Sequence, residues 1–166
     1  HWDRTFGPRY YAFDYGRFHF ICLNAYDGSP ARRASFLIVN ANDGGQIDRP
    51  QMNWFRADAR GATAAGKETV VVLHHDPRGD IGRSGGAYVP NRPFGILQFK
   101  RHIDHYNRTG SYGESFHWND EPSARELLRI IDGNNVSHVL IGHGHTDGES
   151  LRNGVRFIKT TSSGSC

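Results

Sequence analysis

Two short, almost wholly apolar runs constrain the fold of this chain more than any other feature of its sequence. Residues 68–73 and 136–141 consist mainly of Val, Leu and Ile, and each follows a stretch with helical periodicity. Runs of this length and composition are typical of strands that are buried on both faces of a parallel sheet. The sequence therefore predicts an α/β fold with these runs as inner strands.

The stretches before the two runs predict helices. The first helix is expected to be capped by Asp48, to have Pro50 near its first turn and to end at Gly66. Its apolar face comprises Met52, Trp54, Phe55, Ala59 and Ala62. The second helix is predicted between residues 120 and 133, where a Pro stands near the start and a Gly at the end.

Further strands are predicted nearer the two ends of the chain. Aromatic and β-branched residues over 10–15 and 18–24 flank Gly16-Arg17, a pattern that favours a β-hairpin. Residues 155–160 alternate and predict a last strand, and residues 35–39 form another candidate.

Residues 78–120 are rich in Gly, Asn and aromatic residues, with one candidate helix over 97–106. A loop of this length is predicted to be a functional lid or a binding loop.

Length and charge exclude several classes of protein. The 166 residues suffice for one domain, and the net charge of +3 is too small for a nucleic-acid-binding surface. No apolar run approaches the ~18 residues that a membrane-spanning helix needs. We therefore expect a single domain over 1–166 whose mild positive charge suits anionic small substrates.

Histidines directly follow both apolar runs. His74-His75 comes after the first, and Gly142-His143-Gly144-His145 after the second. Ligand crevices in open α/β sheets form at the carboxyl ends of the strands, so we expect both clusters at one edge. Neutral imidazole is a common ligand of Zn, Fe and Mn. The sequence predicts His74, His143 and His145 as metal ligands.

The other polar residues near the clusters have less specific interpretations. His75 is expected to orient a ligand or to contact substrate, and so is a candidate catalytic residue. Asp76, Asp80 and Asp147 either orient ligating imidazoles or serve as turn residues. His117, beside Trp118 in the long loop, is a second catalytic or substrate-contacting candidate.

The remaining histidines are predicted to be structural. His19 alternates with Phe18 and Phe20 in one arm of the hairpin, and His138 lies within the second apolar run. His102 and His105 are expected on a solvated helix face.

Four stretches together resemble the calcineurin-like metallophosphoesterases. They are residues 6–20, residues 51–59, residues 70–75 ending in His74-His75, and residues 139–145, which contain the Gly-His-x-His motif of that family. The resemblance implies a four-layer α/β/β/α sandwich and two divalent or trivalent ions, commonly Fe, Mn or Zn. It also implies that His74 and His143 bind one ion and His145 the other, and that a metal-activated hydroxide hydrolyses a phosphate monoester or diester.

The resemblance covers only part of the pattern of that family. The Asp-x-His, Gly-Asp-x-x-Asp and Gly-Asn-His motifs, which supply the bridging carboxylate, do not occur in these residues. We therefore expect the chain to be the C-terminal half of the domain, inactive alone, with the N-terminal half supplied by the same or another polypeptide.

Three residues of the long loop and its start, Arg78, Arg83 and Tyr112, are candidate substrate-binding residues. Two alternative functions remain open at this level: a non-catalytic assembly module derived from the fold, and a mononuclear zinc hydrolase that uses the three histidines alone. Members with a similar hairpin are often exported, so a periplasmic or extracellular location is the expectation.

Overall fold

A mixed sheet of six strands organises the structure, a computed structural model described for residues 2–5, 7–27, 45–78, 121–142 and 147–160. The order across the sheet is β1-β2-β3-β4-β6-β5, and the four inner strands run parallel while β1 and β5 are antiparallel edges. The strands are β1 Tyr11–Tyr15, β2 Phe18–Cys22, β3 Glu68–Leu73, β4 Val136–Ile141, β5 Gly148–Arg152 and β6 Val155–Lys159. The α/β class predicted from the sequence is confirmed.

Two helices form the connections between the inner strands. Helix α1 is the short segment Trp2–Thr5, α2 is Arg49–Ala64 between β2 and β3, and α3 is Glu121–Asp132 between β3 and β4. Helix α2 contacts α3 as well as β2 and β3. Both helices therefore lie on one face of the sheet.

The start of α2 differs from the prediction in one respect. Asp48 occupies the N-cap position with extended backbone, but its side chain makes no capping hydrogen bond. Pro50 stands in the first turn and has no N–H, so one of the usual donors to an N-cap side chain is missing. The boundary was predicted correctly, but the side-chain cap was wrong.

A row of fully buried residues crosses the four parallel strands beneath the helices. Ile21, Val71, Val139 and Phe157 are register partners in neighbouring strands, and each is 0% exposed. They join Phe55 of α2 and Leu127 of α3 in one core. Packing of this row holds the four strands in register, and the register determines where along the sheet each inner strand ends.

The opposite face of the first two strands is aromatic and exposed. Side chains alternate between faces along a strand, so Phe20 points away from the core that contains Ile21. Phe20 pairs with Phe13, and their rings stack at 5.0 Å with 6° between the planes. Tyr11, Phe13 and Tyr15 share this face and are 48%, 47% and 76% exposed.

The hairpin, β3, β4, α3 and the last strand follow the sequence prediction closely. Strand β5 and helix α1 were missed. The candidate strand over 35–39 and the candidate helix over 97–106 lie outside the described residues, as does all of the predicted loop except Arg78. Within the described ranges, the helices are too short or too polar to cross a bilayer.

Candidate metal centre at the carboxyl edge of the sheet

Segments that follow the inner strands meet at the carboxyl edge of the sheet. Residues 23–27 follow β2, residues 74–78 follow β3, Gly142 follows β4 and Thr160 follows β6. The parallel ladders place Leu73 beside Ile141, and Ile141 beside Lys159. The residues that come next along each strand are consequently neighbours at one edge.

His74 lies against the end of β4. Its carbonyl accepts a hydrogen bond from the Gly142 N–H at 3.3 Å. Its Nδ1 lies 3.5 Å from the point that a Cβ on residue 142 would occupy. The His74 side chain is exposed. A predicted ligand therefore sits beside the residue that leads directly to the predicted ligand His143.

His75 is buried next to His74 and Tyr26. The two imidazole rings are 4.9 Å apart and nearly perpendicular, and His75 is 0% exposed. Tyr26 contacts both rings, with its centroid 5.6 Å from that of His74 and 4.9 Å from that of His75. Tyr26 thus restricts both rings, although no pattern in the sequence predicted a role for it at the site.

A buried amide holds the segment that carries Tyr26. Gln51, in the first turn of α2, accepts a hydrogen bond from the Asn24 N–H at 2.8 Å and donates to the Asn24 carbonyl at 3.1 Å. It also donates to Asp27 Oδ2 at 2.8 Å, and Asn24 Oδ1 accepts from the Tyr26 N–H at 3.0 Å. The signal in the sequence was a polar residue four positions before Phe55 on the apolar face of a helix.

Asp76 is the buried acid of the site. It is 2% exposed and accepts three hydrogen bonds from Arg78, from the backbone N–H and Nε at 2.9 Å and from Nη2 at 2.7 Å. Lys159 Nζ of β6 lies 3.4 Å from its Oδ2. Asp76 therefore accepts a hydrogen bond within the turn and contacts two cations. A turn residue was one of two interpretations of Asp76 from the sequence, and the contact within the turn agrees with it.

Arg78 packs in the same cluster. Its guanidinium carbon lies 4.1 Å from the centre of the Phe157 ring, and its Nη1 donates to Ser150 Oγ of β5. The side chain is 17% exposed. Its proposed contact with substrate stays a prediction.

Several predicted site residues lie outside the described ranges. These are His143, His145, His117, Arg83, Tyr112 and Asp80. Asp147 is described and exposed, just before β5. Within the described ranges, no three His, Cys, Asp or Glu side chains converge as metal ligands. The site as described consists of His74, His75 and their supports.

The arrangement of strands and helices matches a known structure. A dimetal phosphatase from the zebrafish Danio rerio superposes with a TM-score of 0.57 at 14% sequence identity. The fold is similar to that of a dimetal phosphatase. The match covers 90% of this chain and 48% of that protein, so the chain spans about half the length of its structural neighbour. Protein-family models and curated proteins give no significant match to the sequence.

Proposed function

We propose that the chain contributes to metal-dependent hydrolysis of phosphate esters. The observation that carries the proposal is the placement of the exposed His74 ring against Gly142, at the carboxyl edge of a sheet whose fold resembles that of a dimetal phosphatase. An edge of this kind is where open α/β sheets bind ligands. The resemblance and the geometry thus favour the same place.

The donors at this edge suit a borderline divalent ion. His74 offers an exposed imidazole, and the proposed partners His143 and His145 add two more nitrogen ligands. Bound metal ions, of which the proposed complete domain holds two (Fe, Mn or Zn), would lower the pKa of a coordinated water and offset the charge of phosphoryl oxygens.

The residues around His74 restrict its ring and add positive charge near it. His75 and Tyr26 pack against the His74 ring and restrict its orientation. Arg78 and Lys159 contribute two positive charges against the single charge of Asp76, so this cluster favours an anionic substrate at the edge. His75 and His117 remain the proposed catalytic candidates, and Arg83 and Tyr112 the proposed substrate contacts.

The exposed aromatic face of β1 and β2 supports the rest of the proposal. A face that carries Tyr11, Phe13 and Tyr15 is suited to packing against a second sheet, as in a four-layer sandwich. We propose that the second half of the domain covers this face and supplies the bridging carboxylate, so that the isolated chain is inactive. On the resemblance of its hairpin, we also propose that the parent protein is exported.

Metal binding by matched histidine variants tests the proposal. His74→Ala is expected to weaken Mn²⁺ or Zn²⁺ binding at least about tenfold, because it removes a ligand. His138→Ala is the control, since His138 lies within β4 and its Nδ1 is 2.8 Å from Ser137 Oγ. Titration calorimetry measures both affinities. Equal affinities in the two variants would contradict the assignment of His74.

Elemental analysis separates the alternatives. With the N-terminal half present, two ions per complete domain support a dinuclear centre, and one ion supports the mononuclear zinc hydrolase. The exposed aromatic face also favours the non-catalytic assembly module, which predicts no bound metal and association through that face. Hydrolysis of p-nitrophenyl phosphate and of bis-p-nitrophenyl phosphate, assayed with the N-terminal half present, distinguishes a phosphomonoesterase from a phosphodiesterase.

A further inference from the structure

The ion cluster that Arg78 and Lys159 form around the buried Asp76 connects segments that are distant in the sheet. Asp76 and Arg78 belong to the turn after β3, and Lys159 ends β6. Strand β4 lies between β3 and β6 in the order of the sheet. Adjacent strands are about 4.8 Å apart, so the contact between Asp76 and Lys159 spans roughly 10 Å across the end of β4.

The cluster contacts both the core and the edge strand β5. The Arg78 guanidinium lies over the ring of Phe157, which is fully buried in β6, and donates to Ser150 of β5. A buried carboxylate is costly unless it is paired and hydrogen bonded, so Asp76 strongly favours the arrangement that keeps both cations in place. The turn after β3 is therefore fixed to two other strands, to β6 through Lys159 and Phe157 and to β5 through Ser150.

His74 lies between two fixed points. Leu73, immediately before it, is held in the ladder opposite Ile141, and Asp76, two residues after it, is held by the cluster. We infer that Asp76, Arg78 and Lys159 are positioning residues that set His74 against the end of β4. The inference deepens the proposed function, because it concerns the placement of the proposed ligand. It also assigns Arg78 to positioning, since its Nε, Nη1 and Nη2 all donate within the chain.

Lys159→Met is the first variant for testing this inference. It removes the contact that crosses β4 but leaves the hydrogen bonds between Arg78 and Asp76 in place. Lys159→Arg restores a cation, and Lys67→Met is the matched control, because Lys67 contacts Asp14 and the Gly16 carbonyl far from this edge. Circular dichroism and thermal unfolding establish that each variant is folded.

The readout is the imidazole signal of His74 in long-range ¹H–¹⁵N spectra of the metal-free chain, assigned with His74→Ala. We expect Lys159→Met to shift or broaden that signal, Lys159→Arg to restore it, and Lys67→Met to leave it unchanged. A His74 signal that is identical in Lys159→Met and in the unaltered chain overturns the inference. If Lys159→Met does not fold, Arg78→Lys replaces it. This variant keeps the positive charge but loses the planar set of guanidinium donors, and its His74 signal is compared with that of the unaltered chain in the same way.

Metal binding then separates this inference from the proposed function. Absence of bound Co²⁺ in the unaltered chain contradicts the proposed function, while the His74 signal still decides the inference. Where Co²⁺ binds, we expect Lys159→Met to lower the affinity for Co²⁺ about tenfold and to alter the visible absorption of the bound ion. Loss of a residue that supports a metal ligand has effects of this size on affinity. An unchanged affinity and absorption count against the inference alone.

Discussion

At the scale of single residues, His19 has both ring nitrogens hydrogen bonded to carboxylates. Its Nδ1 lies 2.7 Å from Asp14 Oδ1 and its Nε2 lies 2.9 Å from Asp58 Oδ2. Both partners are acceptors, so two N–H donors are required and the protonated ring fits the site. The sequence prediction of a structural, satisfied histidine is confirmed. The two hydrogen bonds of His19 therefore link β2 to β1 and to α2.

The stability of the chain is expected to depend on the charge of His19. Burial alone lowers the pKa of His19, but the hydrogen bonds and negative charges of Asp58 and Asp14 outweigh it and raise that pKa. Stabilisation by the charged ring is therefore complete below the unfolded pKa of about 6.5 and is lost as pH rises through the raised value. The hydrogen bond from His19, followed by Lys67, also lowers the pKa of Asp14 against the effect of burial.

Urea unfolding between pH 5 and pH 9 measures this effect. We expect the free energy of unfolding to fall over the alkaline part of this range in the unaltered chain, and to fall less in His19→Gln, which cannot titrate. Asp58→Asn removes one of the two carboxylates and should move the loss to lower pH. Identical pH profiles for the unaltered chain and His19→Gln would rule out this role.

At the scale of elements, the hairpin of β5 and β6 was missed although its turn carries a strong local signal. Asn153 and Gly154 connect the strands with φ values of 50° and 83°, as expected for a two-residue type I′ turn. Strand β5 itself, Gly148–Arg152, is mostly exposed and has no apolar alternation. The turn residues were the only sequence signal for β5, because an edge strand needs little apolar character.

Gly154→Ala tests the contribution of this turn. A side chain at φ 83° is strained, so we expect the variant to lose about 1–2 kcal/mol of stability. Gly148→Ala is the control, since an added Cβ there meets nothing within 4 Å and Gly148 is not among the glycines with positive φ. Chemical denaturation compares the two, and equal losses of stability would show that the turn conformation is not the cause.

At the scale of the whole molecule, the sheet has unequal faces. The face under α2 and α3 is closed by a continuous core, whereas the other face presents Tyr11, Phe13 and Tyr15 to solvent at the β1 edge. Contiguous exposed apolar surface of this kind marks an interaction surface or an aggregation liability. Leu151, 72% exposed near the opposite edge, is by contrast a single apolar side chain.

Removal of this aromatic surface is expected to change the behaviour of the chain in solution. Phe13→Ser combined with Tyr15→Ser should lower the binding of a hydrophobic dye by about half or more and reduce association at high concentration. Leu151→Ser should change neither appreciably. Dye fluorescence and sedimentation velocity measure the two effects. A double variant that binds dye as strongly as the unaltered chain would show that this face is not the exposed apolar surface.

The sequence by itself determined which segments form the inner strands and their helices, and that His74 stands at a strand end. Those properties depend on short apolar runs and on helical periodicity over a few turns, which are local patterns. Only the tertiary structure decided that Tyr26 packs on His74 and His75, that Gln51 holds the Asn24 segment, and that Lys159 reaches Asp76. These contacts join residues far apart in the chain, and they follow from the order of strands in the sheet, which no local pattern encodes.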